Sequence, residues 1–459
     1  MAGIGAELRK LTRQDDLLGL AQGYTHAAVA SSGPWLLTVL SLGGLTLYGS
    51  VVASYEELAT FRLIIIYNFA FSLVLSGPVV MAATRAVADL IHEKRLDEAP
   101  AVMLSSLVLL YGTQAAVVGP FYLWYVDLAL VTRLAALANY FLITGIWLVS
   151  VFLTALKNYS AVTRSFAIGM ALGFGGAVLL APTYSVTGML VGFSGGLAYV
   201  LFSIIARIFA EYPYRVIRLF RMLDQIKKYW ELALGGLVYN MAIWVDKWLM
   251  WLSPHHVVLA SGLVSYPDYD SAMFLAYLSI VPSMAVFVFQ VETSFFEKYL
   301  IFYRDIERHA TYGRIQSNHE EIIRTLLVGA RNLVVVQGGI CFVTVLLAPR
   351  LLELLGVPLI QLSMFRFGVL GAFFHVLFLV ITIFLSYFDL RRVSLLLQSI
   401  FLATNMSFTY VGMQMGFAYY GYGYFLSALT SFAIAFCVAA HYIVQLPYQT
   451  FIHANTSVR

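Results

Sequence analysis

Asp246 and Lys247 stand side by side in the stretch "YNMAIWVDKWLMWLS", residues 239–253, which is otherwise apolar enough to lie in hydrocarbon. An ionised side chain near the centre of a bilayer costs roughly 2.5–3.5 kcal/mol on insertion scales. Neighbouring helical side chains diverge and do not face each other, so we expect each charge to meet water or a separate partner. Tyr239 and Asn240 share the polar side of this helix. The pattern predicts a wet cavity that accepts a polar cargo.

Other polar side chains fall within apolar segments farther along the chain. Arg331 and Gln337 belong to one such segment, His375 to the next, and His26 to the first. We predict that these residues line the same substrate path. Because histidine titrates nearest to neutral pH, Asp246 or a histidine is a candidate proton carrier. The alternative is that the charges form internal salt bridges that only fix helix packing.

The composition indicates the kind of protein that would hold such a path. Of 459 residues, 61% are hydrophobic and 11% charged, whereas soluble domains carry about 25% charged residues. A crossing helix needs ~20 mostly apolar residues. Twelve segments qualify, with no room for a soluble domain between them: 22–50, 62–84, 100–126, 134–156, 165–181, 184–209, 229–252, 271–292, 324–348, 364–387, 393–415 and 424–446.

Basic residues indicate how these segments cross the membrane. With the N-terminus inside, the inner connections hold 21 Lys and Arg and the outer ones hold 4, of 28 in all. Such an excess marks the cytoplasmic side. The sequence therefore predicts an all-α polytopic membrane protein with twelve transmembrane helices in two six-helix lobes and both termini cytoplasmic.

The predicted segments divide the chain into five parts. These are an interfacial helix (1–21), an N-lobe (22–209), a basic linker helix (210–228), a C-lobe (229–446) and a cytoplasmic tail (447–459). The linker and the amphipathic connection 293–323 are the most basic inner segments. Such segments can serve topology alone, or dock a cytoplasmic partner or an anionic headgroup. The candidate docking residues are Arg215, Arg218, Arg221, Lys227 and Lys228.

Several functional classes find no support in the sequence. No GxxxxGK[ST] motif is present, so no ATP-hydrolysing engine is predicted. Cys341 and Cys437 lie far apart in apolar runs, which does not indicate a metal site or a disulfide framework. Glycines at 169–176 and 188–196 instead predict close packing of two spans. We expect no enzyme activity, no cofactor and no metal.

The N-terminal residues "MAGIGAELRKL", followed by "LLGLAQGYTHAAVASSGPWLLT", resemble the PelG family of Pel exopolysaccharide transporters. That family belongs to the multidrug/oligosaccharidyl-lipid/polysaccharide (MOP) flippase superfamily, and the likeness extends over the chain in length and span layout. It implies two six-helix lobes around a central cavity and export of a galactosamine-rich polysaccharide through the bacterial inner membrane during biofilm formation. It also implies three partners: a cytosolic glycosyltransferase and the membrane proteins PelD and PelE. A small-molecule/cation antiporter of the same fold is the alternative.

The predicted orientation can be tested with reporter fusions. Because the basic residues favour the inner side, we expect a reporter active only in the cytoplasm to work at the C-terminus. The same reporter fused after Asp127, in a predicted outer connection, should be inactive. The reverse pattern at the two sites would contradict the orientation.

Overall fold

The computed structural model is almost entirely helical and describes residues 17–155, 159–212, 221–448 and 450, with the side chains of 17–31, 154, 155, 159, 221 and 292 left out. Its α-helices are, in chain order, α1 Leu17–Val52, α2 Tyr55–His92, α3 Ala99–Pro120, α4 Leu130–Ala155, α5 Tyr159–Glu211, α6 Arg221–Lys228, α7 Trp230–Met250, α8 Pro267–Leu278, α9 Val281–Gln290, α10 Phe296–Glu307, α11 Tyr312–Leu354, α12 Leu362–Tyr387, α13 Arg391–Met415, α14 Tyr422–Val444 and α15 Leu446–Tyr448.

Short elements connect some of these helices. They are the π-helices Phe121–Tyr125 and Val291–Phe295, the 3₁₀ turns Leu96–Glu98, Leu359–Gln361 and Phe417–Tyr419, and the strands β1 Val257–Val258 and β2 Val264–Ser265. The two strands form an antiparallel hairpin after α7, with Val257 opposite Ser265.

Nine helical segments within the described residues are long and apolar enough to cross a membrane. One of them, Ser160–Glu211, contains two of the spans predicted from the sequence. The predicted spans 229–252 and 393–415 are helical as α7 and α13 but are not among the nine, because charged and amide side chains lower their mean hydropathy. A multi-pass helical architecture is therefore observed, while the count of twelve and the orientation stay predictions.

The helices form two compact units. The first unit comprises 33–267, and the second comprises the described parts of 1–32 and 268–459. The boundaries lie inside α1, next to Pro34, and directly after the first residue of α8. Helix α7, which the sequence analysis assigned to the C-lobe, packs against α2 within the first unit. The five parts predicted from the sequence otherwise stay a prediction.

In the first unit, α2 is the central helix. It packs against α4 on one side and α7 on the other, and α6 lies on the end of α2 and on α3. The core contains fully buried aromatic and branched side chains, among them Phe61, Ile64, Phe152 and Phe193. Burial of most of its apolar residues is consistent with the continuous apolar run of α2.

Helix α5 is a hairpin of two antiparallel arms that meet at Ser185. The backbone of Ser185 is non-helical, with φ 47° and ψ −128°. Glycines of one arm lie directly on the backbone of the other. A Cβ added at Gly192 would lie 2.2 Å from the Ala177 nitrogen, and one at Gly196 would lie 2.2 Å from the Gly169 carbonyl oxygen. The predicted close packing of these two spans is confirmed.

The hairpin bend is bonded to the start of α2. Ser54 caps α2, and its backbone N–H donates to the Glu57 carboxylate at 2.8 Å while the Glu57 N–H donates to the Ser54 hydroxyl at 3.3 Å. This reciprocal pair is a capping box. The second Glu57 oxygen accepts from the Ser185 hydroxyl at 2.6 Å, so one carboxylate joins the helix start to the strained bend.

In the second unit, α12 and α14 pack along each other, α13 covers α14, and α11 runs beside α12. The predicted amphipathic connection 293–323 is helical: α10 and the first turns of α11 lie side by side, burying Phe302 and Ile315. An aromatic cluster anchors α10 to the end of α12. Its members are Phe295, Tyr299, Phe384, Tyr387 and Phe388.

The hairpin packing predicts different responses at two glycines of the same arm. Gly192→Ala places a methyl group against backbone, and overpacking of this kind typically costs about 1–3 kcal/mol. Gly195→Ala is the matched control because nothing lies within 4 Å of its Cβ position. Thermal unfolding of the purified variants in detergent should show a lower transition for Gly192→Ala only. Equal transitions would contradict the packing.

Candidate functional site

Asp246 and Lys247 form an ion pair on α7. The Lys247 ammonium donates to both Asp246 carboxylate oxygens at 3.0 Å and to the Ile243 carbonyl at 2.9 Å. The exposed fractions of the two residues are 0% and 6%. The expectation that these neighbours do not pair is wrong. Their Cβ bonds diverge, but the four-carbon lysine stem is long enough to bring the ammonium back to the preceding carboxylate.

Pairing changes what these two residues can do. Opposite charges at hydrogen-bond distance largely cancel when seen from farther away, and a buried pair of this kind is retained only when its remaining donors are satisfied. The Ile243 carbonyl supplies one such acceptor. The pair is therefore a buried dipolar group in α7 rather than two independent charges at a water-filled wall.

The other predicted residues of α7 lie near its contact with α2. Asn240 donates from Nδ2 to the Leu73 carbonyl at 2.9 Å. One turn away, a Cβ at Gly77 would lie 2.6 Å from the Gly236 carbonyl oxygen. Asn240 thus fixes the crossing of two helices whose backbones touch, as polar side chains do inside membranes. Tyr239 is half-buried on the same helix.

A stack of aromatic rings follows the ion pair along α7. Trp248 stacks on Phe71 with ring centres 5.1 Å apart, and Trp251 stacks on Tyr67 at 4.8 Å. Tyr67 also stacks on Phe121 at 5.9 Å. Its hydroxyl donates to the Val264 carbonyl and accepts from the Val264 N–H. The stack joins α2, α7, the first π-helix and the β-hairpin, so it rigidifies the surroundings of the ion pair.

A buried network of neutral polar groups links α2, α4, α5 and the first π-helix. Asn68 donates to Asn139 Oδ1 at 2.9 Å and to the Ala136 carbonyl at 3.0 Å. Asn139 donates to the Ser194 hydroxyl at 2.9 Å, and the Tyr122 hydroxyl donates to Asn68 Oδ1 at 2.5 Å. This network was not predicted from the sequence, because an amide within an apolar run does not reveal which distant residue it bonds. Amides inside apolar runs were the available signal.

In the second unit, Gln337 and His375 are buried and hydrogen-bonded to other helices. The Ser283 hydroxyl donates to Gln337 Oε1, and His375 Nδ1 lies 2.8 Å from the Tyr424 hydroxyl. Their partners lie on α9 and α14, so both residues connect helices of this unit. Burial and pairing favour a packing role for both, and their part in the substrate path stays a prediction.

Arg331 differs from these buried residues. It lies exposed on α11, beside Asn332, in a groove that Val286, Val335 and Val336 complete. The groove has a volume of about 560 Å³. Arg331 is the residue of the predicted path that the structure places at an open concave surface, whereas the ion pair, Gln337 and His375 are buried. His26 lies within α1, and its side chain falls outside the described residues.

Of the linker 210–228, the structure describes 210–212 and 221–228, the latter as α6. Lys227 and Lys228 are both exposed, and Lys228 also lies 3.6 Å from the Asp89 carboxylate at the end of α2 and 4.7 Å from the centre of the Tyr229 ring. Hydrogen bonds to the Tyr229 hydroxyl and to Asp89 raise the pKa of Lys228. Arg215 and Arg218 lie outside the described residues, as does the side chain of Arg221.

A small cavity of about 220 Å³ lies beside this contact. It is bordered by α2, α3 and α6, and its lining includes Asp89, Glu93, Arg95, Gln225 and Lys228. Nowhere in the described ranges do three His, Cys, Asp or Glu side chains gather closely enough to hold a metal ion. The chemistry of the described residues is therefore hydrogen bonding, ion pairing and ring stacking.

Comparison with known proteins places this chain in a family. The model of the PelG exopolysaccharide exporter (EPS-E) family matches residues 1–451. No curated relative was found by sequence.

Solved structures resemble the fold at low sequence identity. A MOP superfamily transporter from Pyrococcus furiosus, described as having a binding pocket of reversed polarity, aligns with a TM-score of 0.65 at 14% identity, over 92% of this chain and 96% of that one. An outward-facing multidrug MATE transporter aligns at 0.62 and 16%, over 92% and 96%. An inward-facing one aligns at 0.60 and 16%, over 92% and 99%.

These likenesses show a MATE-like MOP transporter fold, and the family description is that of a transporter and not of an enzyme. Because the family model covers nearly the whole chain, the protein belongs to the PelG family of exopolysaccharide exporters.

Proposed function

We propose that this protein exports a Pel-type, galactosamine-rich polysaccharide through the bacterial inner membrane, by alternating access of its two lobes to a central cavity. The match to the PelG family over residues 1–451 carries this proposal. The two compact units are what such a movement requires, because interfaces between packed bodies can switch as rigid bodies while their cores stay intact.

The interactions around Asp246 favour polymer export over the alternative, a small-molecule/cation antiporter. Tight binding of a small cation needs an accessible carboxylate. Asp246 is fully buried and accepts from Lys247 with both oxygens. The likeness to multidrug MATE transporters, at 16% identity, concerns the fold alone.

The proposed partners are a cytosolic glycosyltransferase, which would supply the polymer, and the membrane proteins PelD and PelE. Basic side chains on the predicted inner face are suited to a partner of opposite charge. Both Lys227 and Lys228 are exposed, but Lys228 is paired with Asp89. We therefore assign docking to Lys227 and internal anchoring of α6 to Lys228.

Export and the ion pair can be tested together in cells that lack this chain. Wild-type protein should restore secreted polymer. Asp246→Asn or Lys247→Met alone leaves one buried charge unpaired, which typically costs 3–5 kcal/mol, so we expect less folded protein and little export. The double variant should restore the amount of folded protein in membranes but not export. Full export by the double variant would show that the pair only maintains packing.

The same assay tests whether this chain is needed for polymer secretion. If cells without this chain secrete normal polymer, the proposed function is wrong whatever the variants do.

The docking assignment is tested by Lys227→Glu. Reversing an exposed interfacial charge mainly weakens association. Co-purification with the glycosyltransferase should therefore fall at least several-fold, while the amount of the variant in the membrane stays equal to that of wild type. Lys94→Glu is the matched control, since Lys94 is exposed near the same end of α2 but outside the linker. Equal recovery of the partner with both variants would contradict the assignment.

A further inference from the structure

The groove around Arg331 presents a pattern of side chains that the exporter role leaves unexplained. One guanidinium and one carboxamide stand beside three valines on α9 and α11, around a volume of about 560 Å³. Concave sites that are mostly apolar with a few directed polar groups are typical of small-ligand binding. The volume is large enough for a single sugar residue with its substituent.

Arg331 has no acidic partner among the described residues. Its Nη2 donates a hydrogen bond to Asn332 Oδ1 at 3.3 Å. Two other basic residues of the same unit have acidic partners: Arg350 pairs with Glu353 at 2.9 Å, and Lys298 with Glu321 at 2.9 Å. Most of the five guanidinium N–H donors therefore remain available.

The position of Arg331 in α11 indicates why its unpaired N–H donors matter. Arg331 lies within the α11 segment that is apolar enough to cross a membrane, and exposure of an arginine to acyl chains is costly. Lipid-facing placement is disfavoured, so the groove must open to water or hold a ligand. A guanidinium that stays unpaired in such a place is suited to a ligand that brings its own acceptor.

We propose that this groove binds the acetamido group of an N-acetylated hexosamine in the exported chain, with Arg331 as the residue that determines specificity. This inference rests on the proposed function. The acetamido carbonyl accepts from the Arg331 guanidinium and the Asn332 amide. The acetyl methyl group packs against Val286, Val335 and Val336.

Two other sugar substituents are less suited to a transport site in this groove, because one would bind too weakly and the other too strongly. A free ammonium would be repelled by the unpaired guanidinium and would find no acid among the lining residues. A carboxylate would form a charge-assisted pair in a largely apolar groove, and such pairs are the strong ones. Passage through a transporter requires binding weak enough for release. A neutral carbonyl with an adjoining methyl group meets both the polar and the apolar part of the site.

The test measures by calorimetry the binding of three sugar tetramers to purified full-length protein in nanodiscs of zwitterionic lipid. The probes are the tetramers of N-acetylgalactosamine, galactosamine and galacturonate. Loss of one hydrogen bond to a charged group corresponds to roughly a ten-fold change in affinity. We expect wild type to bind the acetylated tetramer at least ten-fold more tightly than the deacetylated one, and Arg331→Gln to lose about ten-fold for the acetylated tetramer while its affinity for the galactosamine tetramer does not fall.

Two matched pairs of variants separate the groove from general effects. Arg350→Gln removes a charge from the same helix at a position 84% exposed and outside the groove, and should leave binding unchanged. Val335→Phe fills the groove at an exposed position and should abolish selectivity for the acetylated tetramer. Val343→Phe adds the same bulk at an exposed position of α11 that does not line the groove, and should not.

Three results would overturn the proposal. They are binding of the galactosamine tetramer as tight as that of the acetylated one, unchanged selectivity or unchanged galacturonate affinity in Arg331→Gln, and no binding of any tetramer by wild type. If Arg331→Gln keeps the selectivity of wild type and unfolds at a lower temperature than wild type only in nanodiscs with anionic lipid, Arg331 binds lipid headgroups instead. Export by wild-type protein in cells is measured separately, so failure of the groove leaves the exporter function standing.

Discussion

The described structure depends on one constraint, which is that a polar group carried into hydrocarbon must find its partner within the protein. No water is present there to complete its hydrogen bonds. Asp246 and Lys247 meet this requirement by pairing with each other, and Asn240 meets it on the backbone of a neighbouring helix. The amides of Asn68 and Asn139 do so through each other. The Asn240 bond and the Asn68–Asn139 bond also join different helices, so satisfying the constraint contributes to the packing.

Arg331 is the contrasting case among the residues of the predicted path. Its guanidinium is exposed in a groove and has a neutral neighbour instead of an acid. The other groups that the structure describes are buried or half-buried and bonded within the protein, whereas Arg331 is the residue that we propose meets the cargo. Residues that look alike in the sequence therefore differ in burial and in their partners.

Patterns local to one or two helices could be predicted from the sequence. The glycines of α5 indicated the close approach of its two arms. The residues of the site were identified by type, but their partners were not. Pairing of Lys247 with the preceding residue depends on how a flexible side chain bends back, and the bond of Asn240 depends on which helix lies opposite. The network around Asn68 brings together residues from distant parts of the chain, so no spacing rule could reveal it.

The touching backbones of α2 and α7 have a consequence for how such sequences can diverge. Gly77 and Gly236 each lie where a Cβ would fall 2.6 Å from the carbonyl oxygen of the other. A side chain gained at either position forces the same separation of the two helices, which would also break the Asn240 bond and disturb the stacked rings beyond it. The two glycines are therefore expected to be kept or replaced together. Relatives that have lost one of them should show a different contact between α2 and α7 along the whole length of both helices.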